Sequence, residues 1–516
     1  MEKIEVMSEN EKLQRAVSYA ISYGYQLDRE AFEFLHLISK TGDPERIVEA
    51  AVKKFESQQE KPLFINRLFL EEIIKETVPA TKEEAPVSSS TLQESKRAFC
   101  PYAKNVPTNL RVLMDSTDKV CTNGSIEDYL SYFRDRFKRL QRLLKQRIDL
   151  RDAISISEAR RSAANSRVKV VGMIMEKREA NQRIILRIED LEAAITVIMP
   201  RNASPELMEK ARALLLDQVV CVQLIKGRND LFIAEDFILP ETPQKVPNKC
   251  AEPVYAVLTS DLHVGSKLFM KECFNRFLLW LNGKYGDSRL KEIASHVKYV
   301  IIAGDIVDGI GVYPRQVKEL AVKDVDKQYQ LAAELIEQIP DYIELIIIPG
   351  NHDAARKALP QPALPERYVE LLCKTRKVYS FSDPCIISLH GVELLLYHGR
   401  SLDDVFASIP NMRATAPAKA MEFLLRSRHL APIYGQRTPI APETQDLLVI
   451  ERIPDIFHAG HVHVLQYSNY RGTLIVNSGA WQLQTDYQKK MGLEPTPGIV
   501  PVVNLQTLEV TPISFT

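Results

Sequence analysis

The chain of 516 residues carries 67 basic and 67 acidic side chains, and 45% of its residues are hydrophobic. This length predicts several domains, and the zero net charge excludes a protein that attracts nucleic acid over its whole surface, so any such surface must be local. Seven scattered cysteines without a Cys-x-x-Cys pair indicate a reducing compartment, and the lack of a leader-like segment or a long apolar run argues against secretion and membrane insertion.

Residues 1–76 are predicted to form a small helical module. Apolar residues recur at helical spacing around Leu13 and Leu35 and in two further runs, Pro44–Phe55 and Ile65–Ile74. Asp28 can cap the second helix. The phenylalanines of the module are expected to lie in its core: Phe32, Phe34, Phe64 and Phe69. We interpret the module as a docking unit, because its sequence contains no chemical motif.

Residues 77–98 are predicted to be a flexible linker. Pro, Ser, Thr, Glu and Lys dominate this stretch. So polar a composition buries too little apolar surface to offset the entropy of an ordered chain. The linker separates the N-terminal module from the rest of the protein.

Residues 99–165 are predicted to be a helical connector that contains one long helix, from Ser125 to Arg151. Ser125 can cap this helix, with Asp128 three residues further on. One face of the helix is apolar and consists of Tyr129, Tyr132, Phe133, Phe137, Leu140 and Leu144. Eight basic residues lie between Arg134 and Arg151 against two acidic ones. They either follow the phosphates of a nucleic acid or form an ordinary solvated face, which is the commoner origin of such a pattern.

Residues 166–240 alternate with the period of strands and predict a barrel of the OB-fold type. Five β-rich runs occur, with a helical segment from Ser204 to Leu216 between the third and the fourth, which is the order of elements in an OB-fold. Such barrels often bind single-stranded nucleic acid. Only Phe232 and Phe237 supply aromatic rings on these strands, so a barrel that serves structure or docking is an equally good interpretation.

Residues 241–516 contain five short blocks of Asp, Asn and His, each of which follows an apolar run. The blocks are Ser260–His263, Ala303–Asp308, Pro349–Asp353, Tyr397–Gly399 and Gly460–His463. The runs have the length and composition of buried strands that end at loops. The spacing of the first four blocks leaves room for a crossover helix and a return strand each time. Because open α/β sheets bind ligands at the carboxyl ends of their strands, we expect the five blocks to meet in one site.

The side chains of these blocks suit divalent cations such as Mn, Fe or Zn. Two such ions about 3.5–4 Å apart can assist phosphoryl transfer. We expect Asp305 to bridge two ions, with Asp261, His263 and His463 on one ion and Asn351, His398 and His461 on the other. A lone histidine is more often an ordinary core residue than a ligand. Five ordered blocks at strand ends are not explained in that way.

The five blocks resemble the signature of the calcineurin-like metallophosphoesterases, which include phosphatases, cyclic phosphodiesterases and repair nucleases. The resemblance implies an α/β fold, a β-sandwich flanked by helices, with the seven ligands already assigned. It implies two bound divalent ions that activate water, Mn first, with Fe, Zn or Mg as alternatives. It also implies that His352 is not a ligand but assists the leaving oxygen of the phosphate, with Asp353 as the carboxylate that orients it.

The order of domains, a phosphoesterase domain at 241–516 preceded by an OB-fold barrel and a small N-terminal helical module, resembles the small (B) subunits of replicative DNA polymerases. Within them it resembles the archaeal family D group, of which the segment Ala431–Glu443 looks characteristic. That segment either folds over the site, with Arg437 as a candidate contact to substrate phosphate, or is a surface loop. Eukaryotic members have lost metal ligands, whereas this chain keeps all seven. The resemblance therefore implies a 3′→5′ proofreading exonuclease that hydrolyses DNA phosphodiesters.

The same resemblance implies partners and a location. The expected partners are a large polymerising subunit and the 3′ end of DNA, single-stranded or mismatched, and a sliding clamp is a further candidate. The expected location is the cytoplasm, at the nucleoid. The residues themselves leave two other functions open: a phosphatase or phosphodiesterase of the same fold, and a subunit that acts only as a scaffold.

Overall fold

The computed structural model describes residues 9–23, 25–27, 29–39, 43–56, 64–65, 69–70, 73, 99–181, 183–228, 231–373 and 376–516. It divides into two compact units, Met1–Ser95 and Lys96–Thr516. The predicted linker up to residue 98 and the predicted cap Asp28 lie outside the described residues. Among the helices within these ranges, none is both long and apolar enough to cross a membrane.

The first unit contains three of the four predicted helices. They are α1 (Glu9–Ser22), α2 (Arg29–Ser39) and α3 (Pro44–Glu56), accompanied by a parallel pair of short strands, β1 (Gln26–Leu27) and β2 (Phe64–Ile65). Of the fourth predicted run, Ile65–Ile74, Ile65 lies in β2, and residues 66–68, 71–72 and 74 lie outside the described residues. Leu13 and Leu35 are buried, as their spacing predicts. Phe69 stacks on Phe55 with ring centroids 4.1 Å apart. The prediction for Phe32 is wrong: its side chain is 45% exposed, because it follows buried Ala31 and so points away from the apolar face of the helix.

The long helix of the second unit, α4 (Ile126–Lys145), begins as predicted. The Ser125 side chain accepts a hydrogen bond from the Asp128 amide, and the Asp128 side chain accepts one from the Ser125 amide. The helix ends earlier than predicted and is followed by a 3₁₀ turn at Ile148–Leu150 and a short helix, α5 (Ile156–Arg161). The region predicted as a helical connector also supplies a strand, β3 (Leu110–Asp115).

Three of the six basic residues of α4 form ion pairs within the protein. Arg136 is fully buried, and its Nε donates to Asp446 Oδ2 at 2.6 Å. Arg139 and Arg142 both form ion pairs with Glu451. These three side chains therefore fasten the helix to the later part of the chain, a use that neither of the two predicted interpretations included.

Residues 167–238 form a closed five-stranded barrel, with strands and helix close to the predicted runs. The elements are β4 (Arg167–Ala180), β5 (Arg183–Glu189), β6 (Ala194–Ile198), α6 (Pro205–Ala213), β7 (Val219–Lys226) and β8 (Leu231–Ile238). Around the barrel the strand order is β4-β5-β6-β8-β7, and β7 closes on β4. Phe232 and Phe237 are both buried, so neither offers a ring to a nucleic-acid base.

The remainder of the second unit is built on two six-stranded sheets. The first sheet consists of β9 (Tyr255–Thr259), β10 (Val297–Ala303), β11 (Glu344–Ile348), β12 (Val378–Ser380), β18 (Ile499–Asn504) and β19 (Val510–Ser514). The second consists of β13 (Cys385–Leu389), β14 (Val392–Leu396), β15 (Ile456–Ala459), β16 (Gln466–Tyr470), β17 (Thr473–Asn477) and β3. Their orders are β12-β11-β10-β9-β18-β19 and β16-β17-β15-β14-β13-β3.

The two sheets share one apolar core, and helices cover their other faces. Leu258 of β9 packs in this core with Leu394 and Leu396 of β14. The adjacent residue Val257 points to the opposite face of the sheet and packs with the helices there. The helices on the first sheet are α7 (Lys271–Leu281), α8 (Ser288–His296), α9 (Val325–Ile336) and α10 (Glu366–Leu372). Those on the second are α11 (Leu402–Ser408) and α12 (Pro417–Ser427), and α13 (Asp486–Met491) follows later in the chain. The architecture is therefore mixed α/β, with two sheets and a small barrel.

The predicted crossovers hold for the first two gaps between blocks. Helices α7 and α8 connect β9 to β10, and α9 connects β10 to β11, so these three strands are parallel neighbours. The third gap differs, because there the chain enters the second sheet and forms the antiparallel pair β13–β14. His390 and Gly391 join this pair and both have positive φ, as tight hairpin turns require.

Candidate metal centre

All seven predicted metal ligands lie together where five strands end. Asp261, Asp305 and Asn351 follow β9, β10 and β11 of the first sheet, and His398 and His461 follow β14 and β15 of the second. Side-chain atoms that could bind a metal form three close groups, each within 4.8 Å: Asp261 with His263 and His463, Asp305 with His398 and His461, and His263 with Asp308 and His352. Asn351 Oδ1 lies 3.0 Å from His398 Nε2. The described residues therefore contain Asp and His groups that could bind metal ions.

Five of these seven residues have a left-handed backbone. The five, with φ between 52° and 66°, are Asp261, His263, Asp305, His461 and His463. A residue with a side chain seldom adopts this conformation, which costs about 1–3 kcal/mol and persists only where the surroundings impose it. Here the Asp261 amide donates to Gly304 O and the His263 amide to Asp305 O, both at 3.0 Å. Because five strained residues occur in one site, we infer that this backbone conformation is kept, despite its cost in free energy, to direct the five side chains toward the centre.

Two glycines allow the ligand loops to approach each other. Gly304 has φ +89°, and a Cβ at this position would lie 2.5 Å from His398 Nδ1. A Cβ at Gly350 would overlap Asp305 Oδ1. Both positions therefore require glycine so that the carboxylate and the imidazole can come together.

His263 and His398 both point Nε2 at the centre, because Nδ1 is engaged elsewhere. Nδ1 of His263 donates to Asp308 Oδ1 at 2.9 Å, and Nδ1 of His398 donates to Ala303 O at 2.8 Å. A metal-ligating histidine commonly gives its other ring N–H to a carboxylate or a carbonyl, which fixes the tautomer and the direction of the ring. Both rings therefore have the arrangement of metal ligands.

The buried carboxylate of Asp305 lies at the centre of the charges. Its Oδ2 is 3.3 Å from His398 Nε2 and 3.8 Å from His263 Nε2. Burial alone would raise the pKa of Asp305, but the neighbouring imidazoles His398 and His352 outweigh burial and hold this pKa far below its usual range. Burial likewise opposes protonation of His263 and His398, yet the neighbouring aspartates raise both pKa values to about 10. Protons on these imidazoles thus balance the carboxylates, and a divalent cation can take their place.

The hydrogen bonding of one buried oxygen indicates whether the residues fit a cation. Asp261 Oδ1 has no hydrogen-bond partner among the described residues, although buried carboxylate oxygens usually have one. His463 Nε2 lies 3.3 Å away from it, in a geometry that does not form a hydrogen bond. A free carboxylate oxygen beside imidazole nitrogens is the donor set that Mn, Fe or Zn prefers. The residues therefore fit a divalent metal.

His352 borders the cluster, but its neighbour in space differs from the predicted one. Its Nδ1 donates to the Asp308 carbonyl at 2.7 Å, which leaves Nε2 3.9 Å from Asp305 Oδ2. Burial lowers the pKa of His352 to about 4. The carboxylate that faces this ring belongs to Asp308, whose Oδ1 is 3.8 Å from Nδ1.

Asp353 therefore does not orient His352, and the predicted pairing is corrected. Its carboxylate accepts hydrogen bonds from the amides of Ile306 and Gly350 and from the Tyr329 hydroxyl. The reason is directional: His352 turns toward the cavity, whereas its neighbour Asp353 is fully buried beneath the cluster, where burial raises its pKa to about 6. Asp353 holds the loops that carry the ligands.

Three further polar residues of the site have no role predicted from the sequence. Asp308 orients His263, Asp403 Oδ2 lies 3.2 Å from His461 Nε2, and the side-chain amide of Gln488 donates to His463 Nδ1 at 3.0 Å. Asp308 had a visible signal, because it ends the same block as Asp305. Asp403 and Gln488 had none, since only the packing of α11 and α13 brings them to the site.

A cavity of about 330 Å³ opens onto the cluster. Its lining includes the cations Arg400 and Arg437 and the rings of Tyr313 and Tyr487. The exposed Arg437 belongs to the segment predicted to fold over the site or to form a surface loop. Asp404 accepts hydrogen bonds from the Arg437 and Thr438 amides at 2.9 and 3.1 Å, which fixes this segment beside the cavity. Its contact to phosphate stays a prediction.

Comparison with known proteins adds family information to this geometry. The family model that describes the B subunit of DNA polymerases alpha and epsilon matches residues 256–467, a range that contains all seven predicted ligands. The chain is thus similar to the B subunits of DNA polymerases.

Individual relatives narrow the family. The DNA polymerase II small subunit of Archaeoglobus fulgidus is 39% identical over 483 residues, which cover 93% of each chain. That of Halobacterium salinarum is 33% identical over 97% of this chain and 98% of its own. That of Pyrococcus furiosus is 41% identical over 75% of this chain and 63% of its own, so the chain spans about three fifths of the Pyrococcus relative. The chain belongs to the family of DNA polymerase II small subunits, which confirms its resemblance to the archaeal family D group.

Proposed function

We propose that this chain is the 3′→5′ proofreading exonuclease of a replicative DNA polymerase and that the Asp–His cluster is its active centre. The observation that carries the proposal is the convergence of seven candidate ligands and His352 beside an open cavity, in a chain that belongs to a polymerase subunit family. We also propose that the two-sheet region is a calcineurin-like metallophosphoesterase domain at 241–516. In the same proposal the barrel is an OB-fold at 166–240, preceded by the connector at 99–165, the linker and the helical module at 1–76.

The cluster has two sets of residues for two metal ions. Asp261, His263 and His463 would hold one ion, Asn351, His398 and His461 would hold the other, and Asp305 lies between the two sets of residues. When bound, two divalent cations, Mn²⁺ first, lower the pKa of water and offset the charge of the reacting phosphate. Asp308 supports this arrangement, because its hydrogen bond fixes the ring of His263.

His352 donates a proton to the leaving oxygen. Because its Nδ1–H is given to the Asp308 carbonyl, the neutral ring presents a lone pair at Nε2 toward the cavity. A bound phosphate brings negative charge close to this ring, and negative charge raises the pKa of histidine. The proton then held at Nε2 is donated to the departing 3′ oxygen, which is general acid catalysis.

The two arginines of the cavity bind and position the substrate. Arg400 and the exposed Arg437 line the same space as the cluster, and guanidinium groups bind phosphate oxygens through charge-assisted hydrogen bonds. Asp404 holds the backbone of Arg437, so the segment needs little further ordering when DNA arrives. Arg437 therefore acts on substrate binding more than on the chemical step.

The proposed partners follow from the proposed activity. A large polymerising subunit extends the primer and delivers its 3′ end, single-stranded or mismatched, to this site, and a sliding clamp is a further candidate. Such an enzyme works in the cytoplasm, at the nucleoid.

The substrate class is tested with the chain reconstituted with its large subunit in Mn²⁺. Three substrates are compared: a single-stranded oligonucleotide, bis-p-nitrophenyl phosphate and p-nitrophenyl phosphate. The proposal expects hydrolysis of both diesters and little of the monoester, with all activity lost in Asp305→Ala and kept in the exposed control Arg289→Ala. Preferred hydrolysis of the monoester with intact DNA establishes a phosphatase. Failure to cleave any of the three substrates, together with failure to bind metal, establishes a scaffold.

A further inference from the structure

We infer that Tyr313 and Tyr487 form a stacking surface for the base of the penultimate nucleotide, the one whose 3′ oxygen departs. The inference rests on the proposed exonuclease, because it names the part of the DNA that this side of the cavity holds. The two residues, called the tyrosine pair here, line the same cavity as the cluster.

The tyrosine pair continues a row of rings that starts at the metal ligands. The ring of His263 lies 4.6 Å from that of His352, His352 lies 6.1 Å from Tyr313, and Tyr313 lies 6.4 Å from Tyr487. These are distances between ring centroids. The row leads from the centre to the cavity mouth, because exposure increases along it: His352 is nearly buried, Tyr313 is half-buried and Tyr487 is 56% exposed.

Contacts within the protein hold the ring of Tyr313 and the helix that carries Tyr487. The Tyr313 hydroxyl donates to Glu319 Oε2 at 2.8 Å. Tyr487 lies in α13, and the neighbouring Gln488 of this helix accepts from the Thr485 amide and donates to the ligand His463, both at 3.0 Å. The helix that carries Tyr487 is thus tied to the metal centre, which places the exposed ring at the mouth of the cavity. An exposed aromatic ring beside a phosphate site suits a nucleic-acid base, since bases of every kind stack on tyrosine.

The chemistry decides which base lies on this surface. Hydrolysis from the 3′ end breaks the bond between phosphorus and the 3′ oxygen of the penultimate nucleotide. The proton donated by His352 goes to that oxygen, so this nucleotide lies on the His352 side of the phosphate. The tyrosine pair is on that same side. The terminal nucleotide keeps the phosphate and is released as the other product.

The arrangement explains how such a site would favour mispaired ends. A base inside a duplex is already paired and stacked, so it must leave the duplex before it can lie on a tyrosine. Unpairing costs least where a mismatch is present. A stacking surface for the penultimate base therefore requires at least two unpaired nucleotides, and it favours the binding of a 3′ end that is already frayed.

The test uses single-stranded oligonucleotides in which one nucleotide lacks its base, at either the penultimate or the terminal position. The reconstituted complex in Mn²⁺ carries wild-type, Tyr487→Ala or Tyr487→Phe chain, and Tyr467→Ala serves as control because Tyr467 is 45% exposed on β16 and does not line the cavity. We expect the wild type to lose about tenfold in kcat/KM when the penultimate base is missing, a loss typical of one stacked base. The terminal abasic substrate should lose much less. In Tyr487→Ala the penultimate penalty disappears, and Tyr487→Phe restores it.

Two results would overturn the inference while leaving the exonuclease in place. One is an equal penultimate penalty in wild type and Tyr487→Ala, and the other is a penalty confined to the terminal position. If the complex hydrolyses no oligonucleotide, the proposed function fails separately, and binding of the same oligonucleotides in EDTA then decides the stacking. Equal dissociation constants for intact and penultimate-abasic DNA would reject it, and a tenfold difference that Tyr487→Ala abolishes would support it.

Discussion

His352 and Asp353 are adjacent in the chain, but they serve different parts of the site. The ring of His352 faces the cavity, and its backbone amide donates to Asp305 Oδ1 at 2.8 Å, whereas the Asp353 carboxylate connects the ligand loops from below. The local sequence predicts that both matter, because both belong to one strand-end block. It cannot assign their roles, since neighbouring residues at a strand end point in opposite directions and only the packed structure decides which one meets the substrate.

Replacing His352 should separate catalysis from metal binding. In His352→Ala we expect kcat to fall about 10²–10⁴-fold, the usual contribution of a positioned proton donor, while the metal content stays at the wild-type value. In His398→Ala the metal content itself should fall, because this ring faces Asp305 and Asn351. Metal analysis of the purified proteins beside steady-state hydrolysis measures both effects, with the exposed His36→Ala as control. Loss of metal from His352→Ala would show that this residue is a ligand.

His429 predicts a dependence of stability on pH that is independent of the cluster. Its Nδ1 accepts from the Ala431 amide at 3.0 Å, and its Nε2–H donates to Asp446 Oδ2 at 2.7 Å, so the folded protein needs the neutral ring. Burial lowers its pKa to about 4, whereas the unfolded chain has about 6.5. As pH falls from 6.5 to 4 only the unfolded chain takes up this proton, so the free energy of unfolding decreases by on the order of 3 kcal/mol.

Urea unfolding between pH 7 and pH 4 checks this expectation. His429→Gln should be less stable than wild type at pH 7 and should lose less stability on acidification. Other buried histidines such as His458 titrate with the same sign, so the difference between the two proteins is the quantity to compare. Identical slopes for wild type and variant would contradict the assignment.

At the scale of elements, the connection of α4 to the Ala431–Glu443 segment is the feature that sequence patterns predicted least. Arg136 forms an ion pair with Asp446 and also donates to the Pro432 carbonyl at 2.7 Å. A basic residue that was predicted to be solvated or to bind phosphate is therefore buried and links the helix to this segment. Periodicity marks the apolar face of a helix, but it does not reveal a partner that lies hundreds of residues away. The same limit applies to β3, which pairs with β13 and carries no strong local pattern.

Other elements were predictable because their causes are local. The cap of α4 depends on Ser125 and Asp128 alone. Strand β10 is buried along its whole length, and its apolar run from Tyr299 to Ala303, which follows the buried Lys298, predicts this burial. The hairpin β13–β14 has a local turn signal at His390–Gly391. The apolar runs on either side of it are short, so the sequence pattern does not predict the hairpin. Local chemistry thus predicts elements and caps, while their arrangement into two sheets depends on contacts across the chain.

Removing the buried guanidinium should disturb both stability and the site. Arg136→Met removes the guanidinium that balances the buried Asp446 carboxylate, which then keeps only uncharged donors such as His429, and this loss costs about 3–5 kcal/mol. The exposed control Arg134→Met on the same helix should change stability by about 0.5 kcal/mol or less. Because the segment that carries Arg437 is anchored through Pro432, the KM for DNA should also rise in Arg136→Met. Chemical denaturation measures the first effect and initial rates the second, and a variant as stable as its control would contradict the account.

For the whole molecule, the division into two units predicts that the site works without the first one. Every residue of the candidate centre belongs to the unit Lys96–Thr516. A chain that starts at residue 96 should keep the metal content and the kcat/KM of the full chain on a short oligonucleotide. Metal analysis and initial rates of the two chains side by side make the comparison. If the shortened chain folds and binds metal but no longer cleaves, the N-terminal module contributes to the activity directly.

The most direct test of the central claim follows a primer–template whose primer is labelled at its 5′ end and mismatched at its 3′ end. The chain is reconstituted with its large subunit and supplied with Mn²⁺ but no nucleotides. The account predicts a ladder that shortens from the 3′ end, faster than for a matched primer, and that is lost in both His352→Ala and Asp305→Ala. An intact primer in the wild-type reaction, or equal shortening by either variant, would contradict it and would make this subunit a scaffold whose metal ligands have another use.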